Sequence, residues 1–325
     1  MLTKSLLLLS VAGVMNGSFV TPSRYIKTFS YSVLWLIYSF IGLIVTPWAA
    51  LFMTTNIHLT DYQKLTGYVS AMLIIGGLVF GFGQIALINA IRRVGLALSF
   101  AVNLGVGVAL GSLFTFFYKA QGVQLIHSVL IISAVLLIVI GLTMYYFSFN
   151  IENRKNKNSF YMGWLCAFTA GLASGFQNVV FIIAISNSGY FSGVNLFWVW
   201  PPFLSVAGLI TGAYFLFNAL NYDKEDCINK NSYNLQSLLK NLFLITAMGI
   251  LFTGSLALYS LGMYGIDHKG QVIGWPIFIV LIILSSQLWG WIYKENINTS
   301  RKQKIFAISS IFLFLFSIVV LSLST

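Results

Sequence analysis

Asn150-Ile-Glu-Asn-Arg-Lys-Asn-Lys-Asn-Ser159 is the stretch on which the architecture turns. It is polar and basic in a chain that is otherwise strongly apolar, and it divides that chain near its middle. Before it, apolar runs separated by charged or turn-rich breaks cover 5–21, 31–54, 67–91, 94–118 and 125–149; after it they cover 160–186, 192–220, 237–264, 271–292 and 304–324. Runs of this length cross a hydrocarbon core of about 30 Å as helices. In lipid every backbone N–H and C=O needs a partner within the protein, which a helix supplies from its own chain. Five helices per half is an odd number, so the second half must enter the membrane from the opposite side. The expected fold is all-α and integral to the membrane, with ten transmembrane helices as two inverted five-helix repeats, residues 1–150 and 151–325.

Composition agrees with this. Of the 325 residues 58% are hydrophobic and 8% charged, against about 25% charged in an average soluble domain. The net charge of +11 resides in short loops, which points to the positive-inside bias and away from nucleic acid. Of the 18 basic residues, all but Lys4, Lys64, Lys119 and Lys269 fall on one predicted face, in the loops holding Arg24, Arg92, Arg154, Lys224, Lys294 and their neighbours. That face is expected to be cytoplasmic, and both termini non-cytoplasmic. Lys4 followed by Leu6–Val14 has the look of a signal peptide, but no small-x-small cleavage site follows, so it is read as the first helix. Cys166 and Cys227 have neither metal-site nor disulfide spacing.

Two short matches accompany the helix parity. Ala12-Gly-Val-Met-Asn-Gly17 in the first helix corresponds to Ala170-Gly-Leu-Ala-Ser-Gly175 in the sixth, and Trp35/Phe40 in the second to Trp198/Phe203 in the seventh. Small residues four apart, Gly13/Gly17, Gly77/Gly81, Gly107/Gly111 and Gly171/Gly175, let helices approach closely in lipid. Packing alone accounts for them; rocking of glycine-lined helices is the functional addition.

Polar side chains inside the spans say more, because each is costly in hydrocarbon and faces a partner or an aqueous cavity. These are Asn16, Gln84, Asn89, Asn103, Gln177, Asn178, Asn195 and Gln287. Amides donate and accept, which suits a polyhydroxylated solute; hydrogen bonding between helices is the rival account. Trp35, Trp198, Trp200 and Trp275 lie near Pro or Gly positions that interrupt helices and are candidates to stack on a sugar ring, with interfacial anchoring as the alternative. The seven acidic residues all fall in loops or at helix ends. Titratable candidates for proton coupling are Asp267, His268, His127 and His58 on one side and Glu295 on the other, against the reading that each is a solvated loop residue. No paired carboxylates, metal-spaced histidines or serine–histidine arrangement emerges, so an enzyme is not expected and no cofactor is implied.

Three segments resemble the bacterial L-rhamnose–proton symporter family of the drug/metabolite transporter superfamily. They are Phe19-Val-Thr-Pro22-Ser-Arg24-Tyr-Ile-Lys27 with Trp35 and Thr46-Pro47-Trp48-Ala49; Gly81-Phe-Gly83-Gln84 with Arg92-Arg93-Val-Gly95 and the glycine-rich stretch from Asn103 to Gly111; and Ile273-Gly274-Trp275 with Lys294-Glu295. The chain departs from the family at Ser32, where the family has Glu, and at Gln271, where it has Asp. The resemblance implies a central sugar site reached alternately from either side, proton-driven uptake and a bacterial inner membrane.

The expectation is therefore a secondary carrier for a sugar, L-rhamnose or a related monosaccharide. Asn16, Gln84, Asn103, Gln177 and Asn178 would hydrogen-bond the solute, Trp35, Trp198 and Trp275 would stack on it, and Asp267, His268 or Glu295 would handle the proton. Arg24, Lys27, Arg92 and Arg93 are expected to set topology. Partners are the sugar, the proton and the bilayer, with homo-oligomerisation open. Export, uncoupled diffusion, and a membrane enzyme or receptor are the rivals.

Overall fold

A computed structural model describes residues 2–119, 125–148, 157–187, 189–191, 196–221, 235–265, 271–295 and 300–323. Regular structure among them is helical throughout: α1 (Leu2–Ser18), α2 (Tyr31–Phe40), α3 (Thr46–Thr54), α4 (Gly67–Val94), α5 (Leu96–Lys119), α6 (Leu125–Phe147), α7 (Lys157–Ser186), α8 (Trp200–Asn221), α9 (Leu235–Tyr264), α10 (Gln271–Ile292) and α11 (Arg301–Ser322), with short 3₁₀ turns between some of them. Among the described residues, eight segments are long and apolar enough to cross a membrane: Thr3–Tyr25, Tyr31–Thr54, Gly67–Val94, Ser128–Phe147, Lys157–Ser186, Leu196–Asn221, Leu235–Tyr264 and Gly274–Ile292. The predicted spans 94–118 and 304–324 fall on α5, whose apolar part is Leu96–Gly111, and on α11. The protein is a multi-pass membrane protein in its helices and in its surface. Leu7, Met53, Phe82, Leu209, Phe243, Trp291 and Phe312 are all more than half exposed, a pattern that water penalises and lipid does not.

Local chemistry explains the element ends. Ser30 and Thr66 cap α2 and α4 by accepting from the Val33 and Val69 backbone N–H groups at 3.2 and 3.3 Å. Gly95 ends α4 at φ +94°, a conformation a side chain resists. The predicted second span is one rod with a fault: a π-helical segment, Ile41–Val45, joins α2 to α3. Pro47 near the start of α3 has no N–H to give and its ring crowds the carbonyl four residues back, so the ladder slips locally. Two other prolines behave differently from expectation. Pro201 opens α8, where a missing N–H costs nothing, and α10 runs on through Pro276 from Gln271 to Ile292.

Helices pair through small residues and single hydrogen bonds. α1 lies along α9 and α10, α4 along α7 and α8, α5 along α7 and α10, and α6 along α11. At Gly17 a Cβ would stand 2.7 Å from the Ile282 carbonyl oxygen of α10, and at Gly171 2.6 Å from the Asn103 carbonyl oxygen of α5. Thr46–Thr253 (2.7 Å), Trp48 to Ser205 (2.8 Å) and Trp200 to Ser260 (2.8 Å) each join two helices. Outside the spans, Tyr62 donates to the Trp198 carbonyl at 2.8 Å. Burial pushes that phenol's pKa up, so it remains a donor.

Candidate functional site

A cavity lies where α1, α4, α5, α7, α9 and α10 converge. Its polar lining is Asn16, Gln84, Asn103, Ser174, Gln177 and the Trp275 indole; its apolar lining includes Phe19, Phe80, Phe100, Phe252 and Phe278. The four amides are 5–7% exposed. None of the lining residues carries a charge.

Each polar group reaches the cavity for a local reason. Asn16 stands one turn from Gly13 and next to Gly17, on the part of α1 pressed against α10, and its Nδ2 donates to Ser255 Oγ at 2.8 Å. That bond fixes the amide, so its oxygen is the atom left to accept from a solute. Ser174, at the matching position of α7 in the repeated motif, faces the same space. Gln84 follows Gly83, where a Cβ would collide with Ala173 of α7, so α4 and α7 approach closely beside the amide. Among the described residues Asn103 Oδ1 and Trp275 Nε1 have no hydrogen-bond partner although both are buried. A buried acceptor or donor left unmet costs free energy; Asn103 lines the cavity, whereas the Trp275 Nε1 lies beside Gly111 and Asn178 at the cavity wall.

Of the eight residues expected to bind solute, the structure brings Asn16, Gln84, Asn103, Gln177 and Trp275 together. Asn178 sits behind them, donating from Nδ2 to the Gly111 carbonyl at 3.2 Å. Trp35 and Trp198 are placed elsewhere. Trp35 packs edge-on to Tyr38 at 5.3 Å, and Trp198 stacks on Phe191 at 4.6 Å; both are buried by protein. Of the proton candidates, Asp267 and His268 lie outside the described residues. Glu295 is not part of the cavity lining and pairs with Arg24. Sequence reasoning missed the phenylalanines and Ser255. Ser174 was signalled by the repeat motif, but the rings had no signal among 28 phenylalanines.

Rings cluster at both ends of the cavity. Phe19, Phe100 and Phe252 meet at one end, with centroids 6.0 and 5.1 Å apart across Phe19. At the other, Tyr259 contacts Trp275 and Phe278 at 5.9 and 4.7 Å, backed by Phe181 stacked on Trp200 at 4.9 Å. The free space between is about 40 Å³, room for about three waters. A monosaccharide needs more, so helices must part to admit one.

The chain resembles L-rhamnose–proton symporters. It is 20% identical over 307 residues to that of Klebsiella pneumoniae, covering 90% of this chain and 89% of the relative. The likeness to the Escherichia coli protein is 20% over 306 residues and to the Shigella flexneri protein 21% over 307, with the same coverage. A solved crystal structure of a protein superimposes with a TM-score of 0.60 at 13% identity, over 99% of this chain and 98% of the other, a likeness of fold alone. No family model matches the chain. The rhamnose-symporter likeness is distant but covers nine-tenths of the chain.

Proposed function

We propose that this protein is a secondary carrier that moves a neutral sugar, L-rhamnose or a related monosaccharide, across a bacterial inner membrane by alternating access. The observation that carries the reading is the central cavity, uncharged and lined by amides beside aromatic rings. Amides match hydroxyl groups as donor and acceptor alike, whereas a charged solute would meet no counter-charge there. The near-full-length likeness to L-rhamnose–proton symporters supports the same class.

Two inverted five-helix repeats and ten membrane crossings belong to this proposal, as does the division at residues 150 and 151. What supports them is the pairing of the helices. Counting α2 and α3 as one rod and exchanging first for sixth, second for seventh and so on turns the α4–α7 pair into α9–α1, and α5–α7 into α10–α1; α6–α11, α5–α10 and α2–α8 map onto themselves. All these pairs occur. The Gly13/Gly17 face on α10 and the Gly171/Gly175 face on α5 exchange in the same way. Loop charges support placing both termini outside the cytoplasm.

Proton coupling through Asp267, His268 or Glu295 is proposed with uptake. A second reading, an uncoupled facilitator, is favoured by one observation: among the described residues no titratable side chain lines the central cavity. Uptake of labelled L-rhamnose into liposomes decides between them. Accumulation above equilibrium only with an inward proton gradient supports symport. Equilibration regardless of the gradient supports the facilitator. Folded protein that moves no sugar in either condition overturns the substrate.

A further inference from the structure

Beyond the Phe19–Phe100–Phe252 layer, toward the end of the molecule that bears Arg24 and the α4 C-terminus, one carboxylate joins three elements. Glu295 lies in the turn that follows α10, with its side chain 9% exposed. Its Oε1 accepts from the Leu96 backbone N–H at 3.2 Å and its Oε2 from that of Ala97 at 3.1 Å. These are the first N–H groups of α5, which have no partner within the helix and lie at the positive end of its dipole. The same carboxylate pairs with Arg24, in the 3₁₀ turn Thr21–Tyr25 after α1. The Arg24 guanidinium also lies 4.1 Å from the Tyr293 ring centroid. At Gly95, whose φ is +94°, a Cβ would stand 2.8 Å from Oε2, so a side chain there would press on the carboxylate.

An exposed ion pair is worth little, but this one is half-buried and shares its anion with a helix end. It also spans the seam between α1 and α10 on one side and α5 on the other, all of which line the cavity. On its far side Glu295 borders a second cavity, of about 490 Å³, together with Tyr145, Gln287, Gln303 and Lys304. Gln287 is 6% exposed, and among the described residues neither atom of its amide has a partner. Lys304 brings a cation to the same space. An amide donor and an ammonium thus line the same cavity as the carboxylate, which is bonded to neither.

The geometry points to Glu295 as a two-position latch: held by Arg24 and the α5 amides it closes the central cavity at this end, and transferred to Gln287 and Lys304 it lets α1 and α5 separate so that solute can pass. This deepens the carrier reading and rests on it. Two discrete partner sets for one buried charge give the bistability that a switching element needs.

The test reads opening without needing a substrate. In a Cys166→Ser, Cys227→Ser background, Ala170→Cys places a thiol on the cavity wall, and a membrane-impermeant maleimide is applied to each face of sealed vesicles in turn. Arg24→Gln should speed labelling from the face bearing residue 24 about tenfold, the scale of losing a partly buried charge-assisted bond. Arg24→Lys should stay near the parent rate. Gln287→Leu combined with Lys304→Ala should slow labelling from that face, because the open state loses its partners. Opposite signs from the two sets support the latch. Parent-rate labelling in Arg24→Gln that elutes as a single monodisperse species overturns it, and so does equal acceleration from both faces. If the labelling pattern holds while no sugar is transported, the latch stands and the substrate assignment fails.

Discussion

Asn103 shows what a polar residue costs inside a membrane protein and what it returns. Its Oδ1 is buried without a partner among the described residues, so removing the amide should help folding while harming the site. Asn103→Leu is expected to raise the midpoint of thermal aggregation, or leave it unchanged, while lowering sugar uptake at least tenfold; a loss of both together would make Asn103 a packing residue. Trp275 makes the complementary case. Trp275→Phe keeps a ring against Tyr259 but loses the Nε1 donor, which should raise KM about five- to tenfold, the value of one hydrogen bond at about 1 kcal/mol, with little change in maximal rate. Uptake kinetics separate this from a stacking role, for which the phenyl ring would suffice. At this scale the sequence was informative about which residue types were out of place in lipid. It was silent on rotation about each helix axis, and that is why Trp35 and Trp198, equally suspicious as letters, are packed among Tyr38 and Phe191 instead.

Between helices the close approach at glycine governs stability. Because a Cβ at Gly171 would stand 2.6 Å from the Asn103 carbonyl, even a small side chain must push α5 and α7 apart. Gly171→Val is expected to destabilise by about 1–3 kcal/mol, the usual cost of overpacking, seen as a clear drop in the thermal aggregation midpoint and a weaker uptake signal. Gly67 is the control. Nothing lies within 4 Å of a Cβ there, and it starts α4, so Gly67→Ala should be neutral or gain up to about 1 kcal/mol from reduced backbone entropy. Were Gly171→Val as stable as Gly67→Ala, the α5–α7 contact would be looser than described. The element scale also refines the second span: the run over 31–54 is one segment, Tyr31–Thr54, but Pro47 disturbs its ladder and leaves the π segment at Ile41–Val45.

At the scale of the whole molecule, helices that are distant in sequence share one cavity. The proposed inverted repeat places α1 and α7 in equivalent positions, and their matched residues Asn16 and Ser174 both face the cavity. A topology reporter tests the arrangement. Alkaline phosphatase fused after Thr325 should be active, and the same enzyme inserted within 150–156 should be inactive; the reverse pattern would invert the molecule and reassign the face that the latch guards. Arg24 and Glu295 stand 271 positions apart in the chain, so no spacing rule could have linked them, although each was visible as a charge at the edge of a span.

Hydropathy is a one-dimensional property, and so the sequence by itself determined where the apolar segments lie, that they are helices, and which polar side chains needed an explanation. Lipid enforces those outcomes segment by segment, because every backbone group and every amide must be satisfied locally or paid for. Which of those amides meet, which tryptophans are walls and which are core, and which acid holds which base were decided only by the tertiary structure. Those facts depend on the rotation and crossing of helices. They are set by where a missing Cβ at Gly17, Gly83 or Gly171 lets two backbones touch, and such contacts join residues that no local pattern connects.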